Sequence, residues 1–318
     1  MDRRELLKGT VAGALTLWAS PYLNAAQQPA TRSASPTGRS LNYSVRRLTN
    51  SLGVVDAGGA NVIAFSTGDS LVLVDSGPPK SGDSLTAALK SFAGSAKVQT
   101  LFNTHYHLDQ TANNEMFASA GATIIAHART RQWMSTDYWV PDEDRYEKAR
   151  PKGARPTETF RTTGSLKVGP EQIDYGHLSL AHTDGDIYVF FRTSNVLAVG
   201  DVASPLRDPA LDWFTGAWIG GRVDAMDTIL KLSNEQTMIV PAAGPVMTRA
   251  EFKAERDMME EVRSRVWKRT LQGDSPKDML EAGVLNGLAR AWKNPQKFLY
   301  DAANGMFAHH NKLDPSVV

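Results

Sequence analysis

The sequence predicts an α+β fold with a helical C-terminal extension, and three observations predict it. Short apolar runs separated by turn residues fill residues 45–75. The same pattern returns between residues 172 and 240. From Thr248 onward the chain becomes highly charged and helix-patterned.

In the first half, Val45–Leu48, Leu52–Asp56, Asn61–Ser66 and Leu71–Asp75 read as strands. Asn50-Ser51, Gly58-Gly59 and Gly68-Asp69 between them are turn dipeptides. Leu85, Ala88, Leu89 and Phe92 fall on one face of a helix over 84–92. A strand at 98–103, a helix near 110–120 and a strand at 123–126 follow, then a polar, aromatic stretch from Gln132 to Arg155. In the second half, strands are expected at 172–175, 187–192, 195–199 and 237–240, with a helix over 223–232. Thr248-Arg249-Ala250-Glu251 is a capping-box signature opening a helix to about Leu271, and Ser275-Pro276-Lys277-Asp278 opens another. These last helices carry no motif chemistry. Packing, or homodimer formation through them, is their expected role.

The chain of 318 residues begins with Arg3-Arg4-Glu5-Leu6-Leu7-Lys8, an apolar run from Gly9 to Leu23, and Ala25-Ala26. Residues 1–26 read as an export signal of twin-arginine type, too short and too interrupted by Pro21 for a bilayer span. The expected location is therefore periplasmic or secreted, with no stable membrane span after cleavage. Residues 27–43, rich in Ser, Thr, Pro and Gly, read as a disordered tether. The formal net charge of +1 becomes about zero once the leader, with three basic and two acidic side chains, is set aside. No basic stripe points to nucleic acid, so a small-molecule substrate is the expected partner. With no cysteine, neither a disulfide nor a thiolate nucleophile or ligand is available. The organisation expected is a main domain over 44–247 and the helical extension over 248–318.

The strongest chemical signal is Asn103-Thr104-His105-Tyr106-His107-Leu108-Asp109-Gln110, directly after an apolar run. Alternate residues of an extended segment point the same way, so His105 and His107 can face one ion. The run resembles the first ligand motif of the metallo-β-lactamase fold superfamily, His-x-His-x-Asp-His, with Gln110 in place of the last histidine. Four further stretches resemble that family in the same order. They are Asp75-Ser76-Gly77 after an apolar strand, His182-Thr183-Asp184-Gly185, Gly200-Asp201, and Pro241-Ala242-Ala243-Gly244-Pro245, where Ala243 takes a histidine's place. The resemblance implies a four-layer αββα sandwich with the helical extension beyond it.

It also implies a first metal site of His105, His107 and His182. The second site is depleted, since of its usual donors only Asp109 and Asp201 survive beside Gln110. No histidine lies between 182 and 309, and only the tail pair His309-His310 could fold back to replace the lost imidazole. Three imidazoles leave a tetrahedral ion one open position, the arrangement of catalytic zinc. One zinc ion is therefore expected, with iron as the alternative. Asp201 is a further candidate ligand. Asp109 is a candidate ligand and the candidate to orient water or pass a proton. Asp75 and Gln110 are expected to stand behind the ligands. His127 and His177, outside any motif, read as hydrogen-bonded structural residues. Trp133, Trp139, Trp213, Phe214 and Trp218 are candidates for an aromatic substrate rim, and Arg207 and Arg222 for holding a substrate carboxylate.

The function expected is an exported hydrolase in which metal-bound hydroxide attacks an ester, lactone, thioester or amide, β-lactams included. Two alternatives stand beside it. One is a non-catalytic periplasmic binding protein with a remnant site. The other is a mononuclear iron oxidoreductase of the same fold, using His105, His182 and Asp201 as the persulfide dioxygenases use their His, His and Asp.

Overall fold

The computed structural model describes residues 43–311. The expected export signal, nearly all of the expected tether and residues 312–318 lie outside that range.

Two sheets carry the fold. The first contains β1 (Val45–Arg47), β2 (Leu52–Asp56), β3 (Asn61–Ser66), β4 (Ser70–Val74), β5 (Lys97–Phe102) and β6 (Thr123–His127) as neighbours in chain order. A small hairpin of β7 (Tyr138–Val140) and β8 (Arg145–Glu147) interrupts the series, and β9 (Glu158–Phe160) then closes the far edge of the first sheet. The second sheet is β10 (Thr163–Val168), β11 (Glu171–His177), β12 (Ile187–Phe191), β13 (Val196–Gly200) and β14 (Met238–Pro241), again in chain order. Strands joined by tight turns pair antiparallel. β4–β5, β5–β6 and β13–β14 pair parallel, because helical segments intervene.

The helices are α1 (Gly82–Ala93), α2 (Leu108–Thr111), α3 (Asn114–Ser119), α4 (Ala128–Ser135), α5 (Ile219–Leu232), α6 (Arg249–Thr270), α7 (Pro276–Glu281) and α8 (Pro295–His310). The helix expected near 110–120 is split into α2 and α3, and the expected strands are displaced by a residue or two at their ends.

The period-2 geometry of β4 shows how four layers form. Val72 and Val74 face the second sheet, packing with Ile63, Phe65, Phe102, Val189 and Phe191. Leu71 and Leu73 face the opposite way, against Leu85 and Leu89 of α1 and Phe117 of α3. All five residues of β4 are buried, which explains its unbroken apolar sequence. The outer face of the second sheet is covered by α5, α6 and α8, through Leu197, Val199, Val223, Met226, Phe252, Met259, Phe298 and Met306. The fold is thus the αββα sandwich, and the C-terminal helices share one core with the second sheet. No helix among the described residues is long and apolar enough to cross a membrane.

The capping box at Thr248 is formed: its hydroxyl accepts from the Glu251 backbone N–H, and the Glu251 carboxylate accepts from the Thr248 N–H. Thr248→Ala is expected to cost about 1 kcal/mol of stability, measured by urea unfolding.

Candidate metal centre

β5 ends at Phe102, and the chain bends through Thr104, His105 and Tyr106 to His107, which precedes α2 with φ −63° and ψ 146°. His105 and His107 are thereby carried to the end of the first sheet. His182 comes from the loop after β11. The Asp186 carboxylate shapes that loop by accepting from the His182 N–H at 2.6 Å, the Thr183 N–H at 2.8 Å and the Thr183 hydroxyl at 2.7 Å. At Gly221 of α5 a Cβ would lie 2.2 Å from the Leu180 carbonyl oxygen, so only glycine lets α5 press against the His182 loop. Gly200 has φ +56°, and a Cβ there would meet the Thr104 side chain at 3.0 Å. It turns the end of β13 so that Asp201 points at the histidines.

The three imidazoles form a triangle, with ring centroids 4.8 Å apart on every side. One nitrogen of each ring lies within 4.8 Å of the other two. The opposite nitrogen of each ring meets an oxygen. His105 Nδ1 is 3.0 Å from the Thr104 hydroxyl, which itself donates to Asp75 Oδ2 at 2.7 Å. His107 Nε2 is 2.8 Å from Asp212 Oδ2. His182 Nδ1 is 2.9 Å from the Ala210 carbonyl oxygen. Carbonyl and carboxylate oxygens only accept, and the Thr104 hydroxyl has spent its proton on Asp75. In each neutral ring the outer nitrogen is therefore the N–H and the inner nitrogen the lone pair. His107 Nδ1 and His182 Nε2 lie 3.0 Å apart, so either a proton on one of these rings or a cation among the three is needed to relieve lone-pair repulsion. His105 Nε2 is fully buried and has no hydrogen-bond partner. The donor set fits a tetrahedral divalent ion with three protein ligands.

Charge around the triangle is uneven. Burial drives the His105 imidazole well below its ordinary value, with His107, His182 and Arg207 acting the same way. Burial opposes charge on His107 too, but Asp212 outweighs it and raises that ring to about 9. Asp212 is itself pushed upward by burial, yet His107, with help from the Tyr106 hydroxyl, brings it down to about 2. Burial pushes the Asp75 carboxyl up to about 8. Asp75 reaches the imidazole only through Thr104, as expected of a group behind the ligands.

Asp201 Oδ2 stands 3.6 Å from His105 Nε2 and 3.8 Å from His182 Nε2, so it borders the same space. Asp109 is more exposed and lies to one side, its Oδ2 3.2 Å from Arg207 Nη1. Gln110 is fully buried. Its amide donates to Asp109 at 3.4 Å, and its Oε1 has no partner. Ala243 is buried. His309 and His310 do not fold back: His309 stacks on Trp218 at 3.7 Å and His310 packs on Trp267. His127 and His177 stack on each other at 3.9 Å and bond to backbone carbonyls, the structural role expected of them.

A cavity of about 350 Å³ opens beside the triangle, bordered by Tyr106, His107, Asp109, Tyr138, Asp212 and Phe214. Of the expected rim, Phe214 lines it directly. Trp133 lies behind, stacked on Tyr106 and donating to Asp184 at 2.8 Å. Trp213 packs against Phe214 and Tyr300. Two rim assignments are corrected. Trp218 is a core residue, buried among α5 and α8 side chains, and Trp139 pairs with Tyr146 on the outside of the β7–β8 hairpin. Arg222 is corrected as well. It is fully buried against Ser204 and Glu255 and cannot meet a substrate. Asp212 and Thr104 were not singled out in the sequence. Asp212 sits in an aromatic loop 105 residues from the histidine it holds, and nothing local marks it.

A family model described as the metallo-beta-lactamase superfamily matches residues 55–242, more than half of the chain. The chain belongs to the metallo-β-lactamase superfamily. Solved structures agree at the level of fold. A metallo-β-lactamase from Pontibacter korlensis superposes with a TM-score of 0.57 at 17% identity, covering 69% of this chain and 99% of that one. The DIM-1 metallo-β-lactamase gives 0.54 at 16% identity, covering 69% and 97%. VMB-1 gives 0.54 at 12%, covering 69% and 96%. No curated protein matches the sequence. The part of this chain beyond residue 247 lies outside the residues that the family model matches. Here it supplies α6, α7 and α8 to the outer layer.

Proposed function

We propose that this superfamily member is an exported hydrolase with a single zinc ion held by His105, His107 and His182, acting on an ester, lactone, thioester or amide. One observation carries the reading: the outer nitrogen of each ring meets an oxygen, which turns the inner nitrogen of all three neutral imidazoles toward one point. An ion so held supplies a Lewis acid that polarises a carbonyl and brings the pKa of water toward ~7. The chain's own groups do the rest. Asp201 borders the ion's space and completes its surroundings. Asp109, at the cavity edge, accepts and returns the proton that passes between water and leaving group. Tyr106, Tyr138 and Phe214 offer apolar ring faces to the substrate and exclude bulk water. Arg145 in the cavity lining is already paired with Glu143 and Glu147.

The protein purified after native export is expected to hold close to one zinc equivalent. Removal by a chelator should abolish hydrolysis of a panel of esters and lactones, and zinc should restore it. Metal-replete protein that contains no ion would instead make it a binding protein with a remnant site. The position of Asp201 favours a second reading, because His105, His182 and Asp201 converge as an iron triad would. Iron in the purified protein, with oxygen uptake on a thiol or persulfide substrate, would establish that reading.

A further inference from the structure

Beside the histidine triangle, the Asp109 and Asp201 carboxylates come close to one guanidinium. Arg207 Nη1 lies 3.2 Å from Asp109 Oδ2 and Nη2 lies 3.9 Å from Asp201 Oδ1. We propose that Arg207 is a built-in cation that takes the place of a second metal ion between Asp109 and Asp201 and so limits the centre to one ion. The inference rests on the single-ion reading of the triangle and adds the reason why the count stops at one.

Two carboxylates beside three imidazoles make a donor set that would attract a second divalent cation. A fixed positive charge within salt-bridge distance of both carboxylates neutralises much of that attraction, and its bulk occupies the intervening space. Arg207 is well suited, because a guanidinium stays charged at any physiological pH; burial works against that charge, but Asp201 and Asp109 together outweigh it.

Arg207 is not a loosely attached surface side chain, although it is partly exposed. Its loop is held at several points by the C-terminal helical region. Its carbonyl oxygen accepts from Arg290 Nη1 at 2.6 Å. The neighbouring Asp208 carboxylate accepts from the backbone N–H groups of Lys293 and Asn294 at 2.9 and 2.6 Å. Upstream in the loop, the Ser204 N–H donates to Glu255 of α6 at 2.9 Å. The region after α6 thus has a use beyond covering the sheet: it fixes the backbone from which the guanidinium reaches the two carboxylates.

The test is a Co²⁺ titration of the metal-free full chain, read by visible absorption and by calorimetry. Wild type and Arg207→Lys are expected to saturate at about one equivalent. Arg207→Met, which keeps the apolar stem and loses the charge, should take up a second equivalent at least about tenfold more tightly than wild type does. Arg207→Gln carries the same expectation should the methionine variant fold poorly. One equivalent in every variant, with unchanged affinities, would overturn the proposal while leaving the single-ion centre intact. Loss of the first ion in the Met and Gln variants would also overturn it, making Arg207 a support of the triangle. No ion in any protein would remove the reading of the triangle and this proposal together.

Discussion

Asp212→Ala is expected to weaken binding of the proposed zinc ion by about 10–100-fold. The Asp212 carboxylate is the acceptor that holds the His107 proton on Nε2 and leaves Nδ1 to face the other two rings. It also accepts from the Tyr106 hydroxyl, so one carboxylate orients a ligand and a wall of the cavity together. Without it, the His107 proton is free to move to Nδ1, where it would block coordination, and the ring is free to turn. His107 is the most exposed ligand of the three, so it depends most on a specific partner for its orientation. Asp212→Asn keeps an acceptor oxygen without the charge and should lose less affinity than the alanine variant. Competition for zinc against a chelating dye separates the three proteins. Equal affinities would show that neighbouring packing, not Asp212, fixes the ring.

Glu255→Ala is expected to destabilise the fold by about 3–5 kcal/mol, seen as a lower midpoint of urea unfolding. Glu255 on α6 is buried, with Arg222 Nη2 at 3.7 Å and Arg290 Nη2 at 3.4 Å from its Oε1. Arg222 is fully buried, and burial lowers its affinity for the proton against the pull of Glu255. Deleting the carboxylate leaves two guanidiniums close together with no anion between them, and also frees the Ser204 N–H. Glu255→Gln preserves the shape and the acceptor for Ser204, so its loss relative to wild type reports the charge, and the further loss in the alanine variant reports shape and the Ser204 hydrogen bond. A loss below about 1 kcal/mol in both would mean that water reaches the pair and screens it. Because Ser204 lies between Asp201 and Arg207, the same variants should also loosen the loop bordering the metal centre.

Much of the fold was legible in the sequence. β2, β3 and β4 are short apolar runs bounded by turn residues, and α6 begins with a capping box whose signals are all local. β10 escaped notice because its half-exposed sequence, Thr163 to Val168, mixes glycine, serine and lysine with only two large apolar residues. The split of the helix after Gln110 was also invisible. Asn113 turns the chain there, its amide bonded to the Ser76 carbonyl at 2.6 Å, 37 residues away.

The candidate ligands were legible because chemistry-bearing residues stand in recognisable local runs, and the structure brings His105, His107 and His182 together. The aromatic rim was legible only in part. Trp218 and Phe214 occupy the same glycine-bracketed segment, but α8 covers the first and the cavity opens beside the second. Composition cannot tell a wall from a core when the covering element lies some 80 residues further along.

By itself, the order of residues determined which atoms are available to hold an ion, because side-chain identity and short-range backbone geometry are local properties. Only the tertiary structure decided which nitrogen of each imidazole faces inward and which cation stands beside Asp109 and Asp201. Those outcomes depend on Asp212, Ala210 and Arg207, whose loop comes within bonding distance of the histidines only after the second sheet has packed against the first.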